Sequence, residues 1–92
     1  MNLTAIPYQN EQITFFKAES DGILVNPQKG KVRVLNHTGT FIWELIDAKK
    51  SVNDIIDCMD SVYACRPDTI QTEVIHFLQE LSERTLIYLK EE

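Results

Sequence analysis

Cysteine, basic charge and long apolar runs are all scarce in this sequence, and each scarcity excludes something. There are two cysteines, Cys58 and Cys65, seven positions apart. Two are too few for a disulfide scaffold, the spacing is not that of a C-x-x-C redox pair, and no second Cys or His pair completes a zinc set. They read as packing residues or free thiols. Lys and Arg total 9 against 14 Asp and Glu, a net charge of −5 with the histidines neutral. Non-specific nucleic-acid binding needs a positive footprint and is not expected. No stretch approaches the roughly 18–20 apolar residues of a membrane span. The N-terminal MNLTAIPYQNEQ lacks the basic and long apolar regions of a secretory signal. A cytoplasmic protein without a membrane segment is the expectation. The P-loop, nucleophile-elbow and H-E-x-x-H patterns are missing, and no nucleophile stands beside a general base. No catalytic residue, metal site or cofactor is therefore expected.

What is present is enough for one small domain and not for two: 92 residues, 43% of them hydrophobic. Residues 1–12, mixed and polar with Pro7, read as a flexible lead-in to a single domain over 13–90. From Ile13 the texture becomes aromatic and β-branched. ITFFKAES runs into an Asp21-Gly22 corner, ILVN follows, and NPQKG at 26–30 makes the next turn. KVRVL then alternates, with Val32 and Val34 on one face and Lys31 and Arg33 on the other. Three strands, near 13–19, 23–26 and 31–35, are predicted to form an antiparallel meander.

Past Leu35 the period changes. Asn36 or Thr38 can cap a helix carrying Phe41, Ile42, Leu45 and Ile46, which stops near 47–50. Ser51 caps a second helix, with Asp54 in the capping-box position and Val52, Ile55, Ile56 and Met59 as its apolar stripe, ending around 63–65. After a break at Arg66, Pro67 starts a third helix running to about Arg84, with Ile70, Val74, Phe77, Leu78 and Leu81 as its core side. The last segment, TLIYLK at 85–90, is β-like and can add a short strand or wing. The result is an α+β, winged-helix-like chain: three antiparallel strands, three helices and a short C-terminal strand.

The block VRVLNHTGTFIWELIDAKKSVNDII, 32–56, resembles the family of the pyrroloquinoline quinone biosynthesis protein D. The residues that carry the resemblance are Leu35, Asn36, Thr38, Gly39, Ile42, Trp43, Leu45, Asp47, Ser51, Val52 and Ile55. Ala48 departs from it, since the family often has Gly there, and without that Gly a left-handed end to the first helix is not expected. The resemblance implies a non-catalytic recognition element, as in lasso-peptide and quinone-cofactor pathways. Such a domain binds the leader segment of a ribosomally made precursor. It presents that segment to a modifying enzyme such as a radical S-adenosylmethionine enzyme, a protease or a cyclase. The leader then adds as a strand beside the third predicted strand, in a groove shared with the third helix.

Strand capture requires an exposed sheet edge with side-chain pockets beside it. The strand at 31–35 is outermost in a meander. Lys29, Lys31 and Arg33 read either as a solvated face or as charges that guard this edge and attract acidic leader residues. Val32 and Val34 are expected to face the third helix. On that helix Ile75 lies off the main stripe, so it reads equally as groove lip or as packing under the C-terminal segment. The expected leader contacts are Lys31, Val32, Arg33, Val34, Val74, Ile75 and Leu78. Trp43 is expected to be a partly buried core aromatic, with contact to a partner enzyme as the alternative, and His37 and His76 to be surface or cap residues. An unpaired edge also allows self-pairing into a homodimer.

Two other functions compete. A winged-helix DNA-binding regulator fits the element order, but the third helix carries Asp68, Glu73, Glu80 and Glu83 against Arg84, a net of −3. A small thiol enzyme would need Cys58 or Cys65 as nucleophile, and neither has a neighbouring His or a Gly-rich turn.

Overall fold

The computed structural model describes residues 2–63 and 67–90. Cys65 and the break at Arg66 lie outside them. Element order is β1 (Ile6–Gln9), β2 (Thr14–Ala18), β3 (Asp21–Asn26), β4 (Lys31–Leu35), α1 (His37–Leu45), α2 (Val52–Val62), α3 (Pro67–Glu83) and β5 (Ile87–Lys90). The α+β arrangement matches the expectation, and β2-β3-β4 is an antiparallel meander in that order.

The N-terminus departs from it. In place of a flexible lead-in, residues 6–9 form β1, which pairs antiparallel with β5 so that Ile6 faces Lys90 and Gln9 faces Ile87. The segment before β1 also serves α2. A helix begins with backbone N–H groups that lack intrahelical partners. Val52 N donates to Ala5 O and Asn53 N to Leu3 O, both at 2.9 Å. Ala5 is fully buried beside them. Four residues containing a proline carry no strand signal of their own. β1 exists because β5, the far end of the chain, supplies its partner.

Both helix starts follow the capping chemistry in the sequence. Asn36 Oδ1 accepts from Gly39 N at 2.8 Å. Ser51 and Asp54 close a reciprocal capping box, at 3.0 and 3.2 Å. Between α1 and α2, the Asp47 carboxylate accepts from Lys49 N, Lys50 N and Lys50 Nζ. These bonds, the Lys50 side chain foremost, hold its carboxyl well below the usual carboxylate range. They also fix the loop with Ala48 at φ +64°. The left-handed residue is thus present without glycine, two positions beyond the extended C-cap at Ile46.

The core lies between the inner face of β2-β3-β4 and the helices: Leu24, Leu35, Trp43, Ile55, Val74, Leu78 and Leu81 are each no more than 2% exposed. Trp43 is therefore core, which removes it as a contact for a partner enzyme. Gly22 on β3 permits the layers to close, because a Cβ there would stand 2.5 Å from Phe15 Cε1 and 3.0 Å from Thr40 Oγ1. Gly39 does the same between α1 and α3, where a Cβ would meet the Phe77 ring at 3.3 Å. The motif residues Asn36, Gly39, Trp43, Ser51, Val52 and Ile55 thus serve caps and packing.

A candidate peptide groove between the edge strand and the third helix

β4 is an edge strand, paired with β3 on one side only. Its register places Arg33 opposite Leu24 and Leu35 opposite Gly22, while Val34 faces Ile23 and Val32 faces Val25. Cross-strand partners share a face of the sheet. Since Leu24 and Leu35 are both 1% exposed, Arg33 lies on the inner face and Val32 and Val34 on the outer one. This inverts the sequence expectation, in which the valines met α3 and the charges faced solvent. The cause is Leu35. It has the parity of Arg33, and burying it turns both valines out, to 60% and 61% exposure.

Arg33 crosses the space between β4 and α3. Its Nη2 lies 2.9 Å from Glu80 Oε1 and donates to Oε2 at 3.1 Å, while its Nη1 donates to Val34 O at 2.9 Å. Glu80 also meets Arg84 Nε at 3.5 Å. The ion pair is a bar across the groove, with a hollow on either side. One hollow, about 590 Å³, lies toward the start of α1 and is lined by Asp21, Val34, Leu35, Ile42, Glu73 and Phe77. The other, about 240 Å³, lies toward the β3–β4 turn and is lined by Leu24, Lys29, Lys31, Glu83, Arg84 and Leu86. Arg33 lines both. Each hollow has an apolar floor, and the ends differ in charge. Asp21 and Glu73 stand at one end, and Lys29, Lys31 and Arg84 outnumber Glu83 at the other.

The expected contact residues divide accordingly. Lys31, Val32, Arg33 and Val34 lie together on the open edge. Val74 and Leu78, at 1% and 0% exposure, are core and offer no side-chain surface in this state. Phe77 and Leu78 were both expected on the core side of α3; Leu78 is there, while Phe77 is half-buried against the groove. Ile75 is half-buried on the core and lines neither hollow. Phe77, Ile42, Leu86 and Glu73 are among the lining residues that sequence reasoning did not assign to the site. His37 and His76 are exposed, as expected.

The family model of coenzyme PQQ synthesis protein D matches residues 21–87, the span from β3 through the first residue of β5. The chain belongs to that family. No curated protein matches this member of the coenzyme PQQ synthesis protein D family. Two solved structures share its fold. One is TbiB1 in complex with the TbiA(beta) leader peptide, with a TM-score of 0.80 and 21% identity, covering 87% of this chain and 93% of that one. The other is lasso peptide synthetase B1 complexed with the leader peptide, with a TM-score of 0.81 and 17% identity, covering 91% of this chain and 99% of that one.

Proposed function

We propose that this chain captures the leader segment of a ribosomally made precursor peptide by strand addition to β4, and presents the peptide to a modifying enzyme. The observation that carries this reading is an open β4 edge directly beside a two-chambered groove. Both structural neighbours named above were solved with a leader peptide. An edge strand supplies backbone hydrogen bonds to any extended peptide, and alternate side chains of that peptide reach the pockets next to it. Here one inward-facing side chain enters the hollow floored by Ile42 and Phe77 and another enters the hollow floored by Leu24 and Leu86, with the Arg33–Glu80 bar between them.

Arg33 has a second part in this mechanism. Its Nη1 holds Val34 O, so a backbone N–H arriving at that carbonyl has to share it or displace the guanidinium. The opposite charges at the two ends of the groove orient the peptide: its acidic end lies toward Lys29 and Lys31, and its basic end toward Asp21 and Glu73. The contact set proposed is Lys31, Val32, Arg33 and Val34 along the edge, with Ile42, Phe77 and Leu86 beneath the peptide. Val74 and Leu78 support those contacts from the core.

The role requires no catalytic chemistry. Holding the leader near an enzyme makes capture of the rest of the peptide effectively intramolecular. Affinity of about 1 μM, about −8 kcal/mol, is sufficient for that. The enzyme partner is one of the classes that act on such precursors, a radical S-adenosylmethionine enzyme, a protease or a cyclase. A DNA-binding role is not favoured, because α3 presents Glu73, Glu80 and Glu83 and the nearby Arg33 and Arg84 are tied to Glu80.

The test is a titration of labelled leader, taken from any short precursor encoded beside this gene, into the full chain. Saturable 1:1 binding is expected. Methylating single backbone nitrogens of the leader should weaken binding at every second position, because an added strand turns alternate N–H groups toward its neighbour. Binding that ignores N-methylation would refute strand addition, and no saturable binding with or without the enzyme would refute the function.

A further inference from the structure

The outer face of the three-stranded sheet turns away from α3, and only Val32 and Val34, at its β4 margin, also border the groove. Two cross-strand rows lie on it, Phe16–Ile23–Val34 and Thr14–Val25–Val32. Five of these six positions are large apolar residues and none is charged. Phe16, Val32 and Val34 are 57%, 60% and 61% exposed, while Ile23 and Val25, in the central strand, are half-buried between their neighbours. Single exposed apolar side chains are ordinary, but a contiguous block on one sheet face marks a surface that another molecule covers. Glu19 and Asp21 are exposed at its β2–β3 end.

We infer that this face is the docking surface for the enzyme that modifies the bound peptide, and that the enzyme meets it through an apolar patch with a basic rim. The inference rests on the proposed leader-binding role. Two arguments select this occupant over a second copy of the chain. A second copy would bring two chains of net charge −5 together. The second argument is continuity. Val32 and Val34 turn their side chains to this face, while their strand offers its backbone edge to the peptide. A strand added to β4 becomes a fourth strand of the sheet, and its outward side chains extend the two apolar rows. The complete docking surface is therefore composite, made partly by the protein and partly by its peptide, so the enzyme engages the loaded protein in preference to the empty one.

The decisive variant is Phe16→Thr with Ile23→Thr, which removes the apolar rows away from β4 and keeps residues suited to strands. Three quantities are measured on the full chain: leader affinity by anisotropy, affinity for a precursor-modifying enzyme encoded beside the gene, with and without leader, and oligomeric state by sedimentation. For the wild type, leader should tighten enzyme binding at least tenfold. The double variant should keep leader affinity within about twofold and lose enzyme affinity at least tenfold, while Phe16→Leu should retain it. Undiminished enzyme binding by the double variant would overturn the proposal. So would a dimer dissolved by the variant with enzyme binding intact, which would assign the face to a second copy. Wild-type chain that binds the enzyme but no leader would overturn the composite surface and refute the leader-binding reading itself, a result distinct from either of the others.

Discussion

The two faces of the β2-β3-β4 sheet are built from the same short strands and have opposite fates. The inner face carries Phe15, Gly22, Leu24, Arg33 and Leu35, and packs on α1 and α3. The outer face carries Phe16, Ile23, Val25, Val32 and Val34, and among the described residues Phe16, Val32 and Val34 stay more than half exposed there. By hydrophobicity alone the outer set is the better core, since it contains no charge. The difference teaches that burial here follows shape and register rather than composition. Gly22 lets α1 approach, Leu24 and Leu35 fill the space behind it, and Arg33 is accepted on that face because Glu80 and the Val34 carbonyl satisfy two of its nitrogens.

Substitutions that treat the two faces alike can break this contrast. The largest effects belong to the inner side. Leu24→Ala on β3 and Leu78→Ala on α3 should each destabilise the fold by about 2–5 kcal/mol, as fully buried leucines do when a cavity is left. Denaturant melts check this. They also separate Leu78 from the peptide contacts, because its loss should lower stability before it alters leader binding at a temperature where the variant is folded. Gly22→Ala comes next, at about 1–3 kcal/mol, because the new methyl would have to displace the Phe15 ring.

The outer side should respond weakly in stability and strongly in association. Val34→Thr should cost less than about 1 kcal/mol, since the side chain is already 61% exposed and Thr suits a strand. A loss of several kcal/mol on melting would mean that the outer face is core after all. The smallest effect concerns the bar across the groove. Glu80→Gln should cost at most about 1 kcal/mol, since both partners of the pair are about one-third exposed. It should also free Arg33 enough to change the leader on-rate, which stopped-flow fluorescence would detect.

The sequence-level reading succeeded where the signal was local. The Ser51–Asp54 capping box, the Asn36 cap and the NPQKG turn all depend on neighbours in the chain, and the structure places each where the residues indicate. The first hairpin corner does not follow the Asp21-Gly22 signal: it falls at Glu19 and Ser20, with Glu19 at φ +57°, and Asp21 and Gly22 already pair with Ala18 and Lys17 as the start of β3. The reading also failed where the answer depends on a distant partner. β1 is stabilised by β5 and by the first turn of α2, neither of which is visible from IPYQ. The facing of β4 is similarly remote. KVRVL contains two apolar sets of opposite parity, Val32 with Val34 and Leu35 alone, and the single leucine prevails because it meets Gly22 and the packed end of α1. On α3 the adjacent pair Phe77 and Leu78 offered two rotations of the helix. The close approach of Phe77 to Gly39 settles which of them lines the groove. The edge strand itself was legible, as was its neighbourhood with α3, whereas the residues flooring the hollows were not.

One contrast remains inside the sheet: β2 and β4 are both edges, but β4 borders the groove, while β2 carries the Lys17–Glu44 ion pair to α1, at 2.9 Å. Amide hydrogen exchange on the two strands, with and without leader, tests strand addition most directly. Saturating leader should slow exchange at least tenfold at alternate residues of 31–35 and leave 14–18 unchanged. Slowing confined to β2, or no slowing in either strand while the leader is bound, would contradict the account.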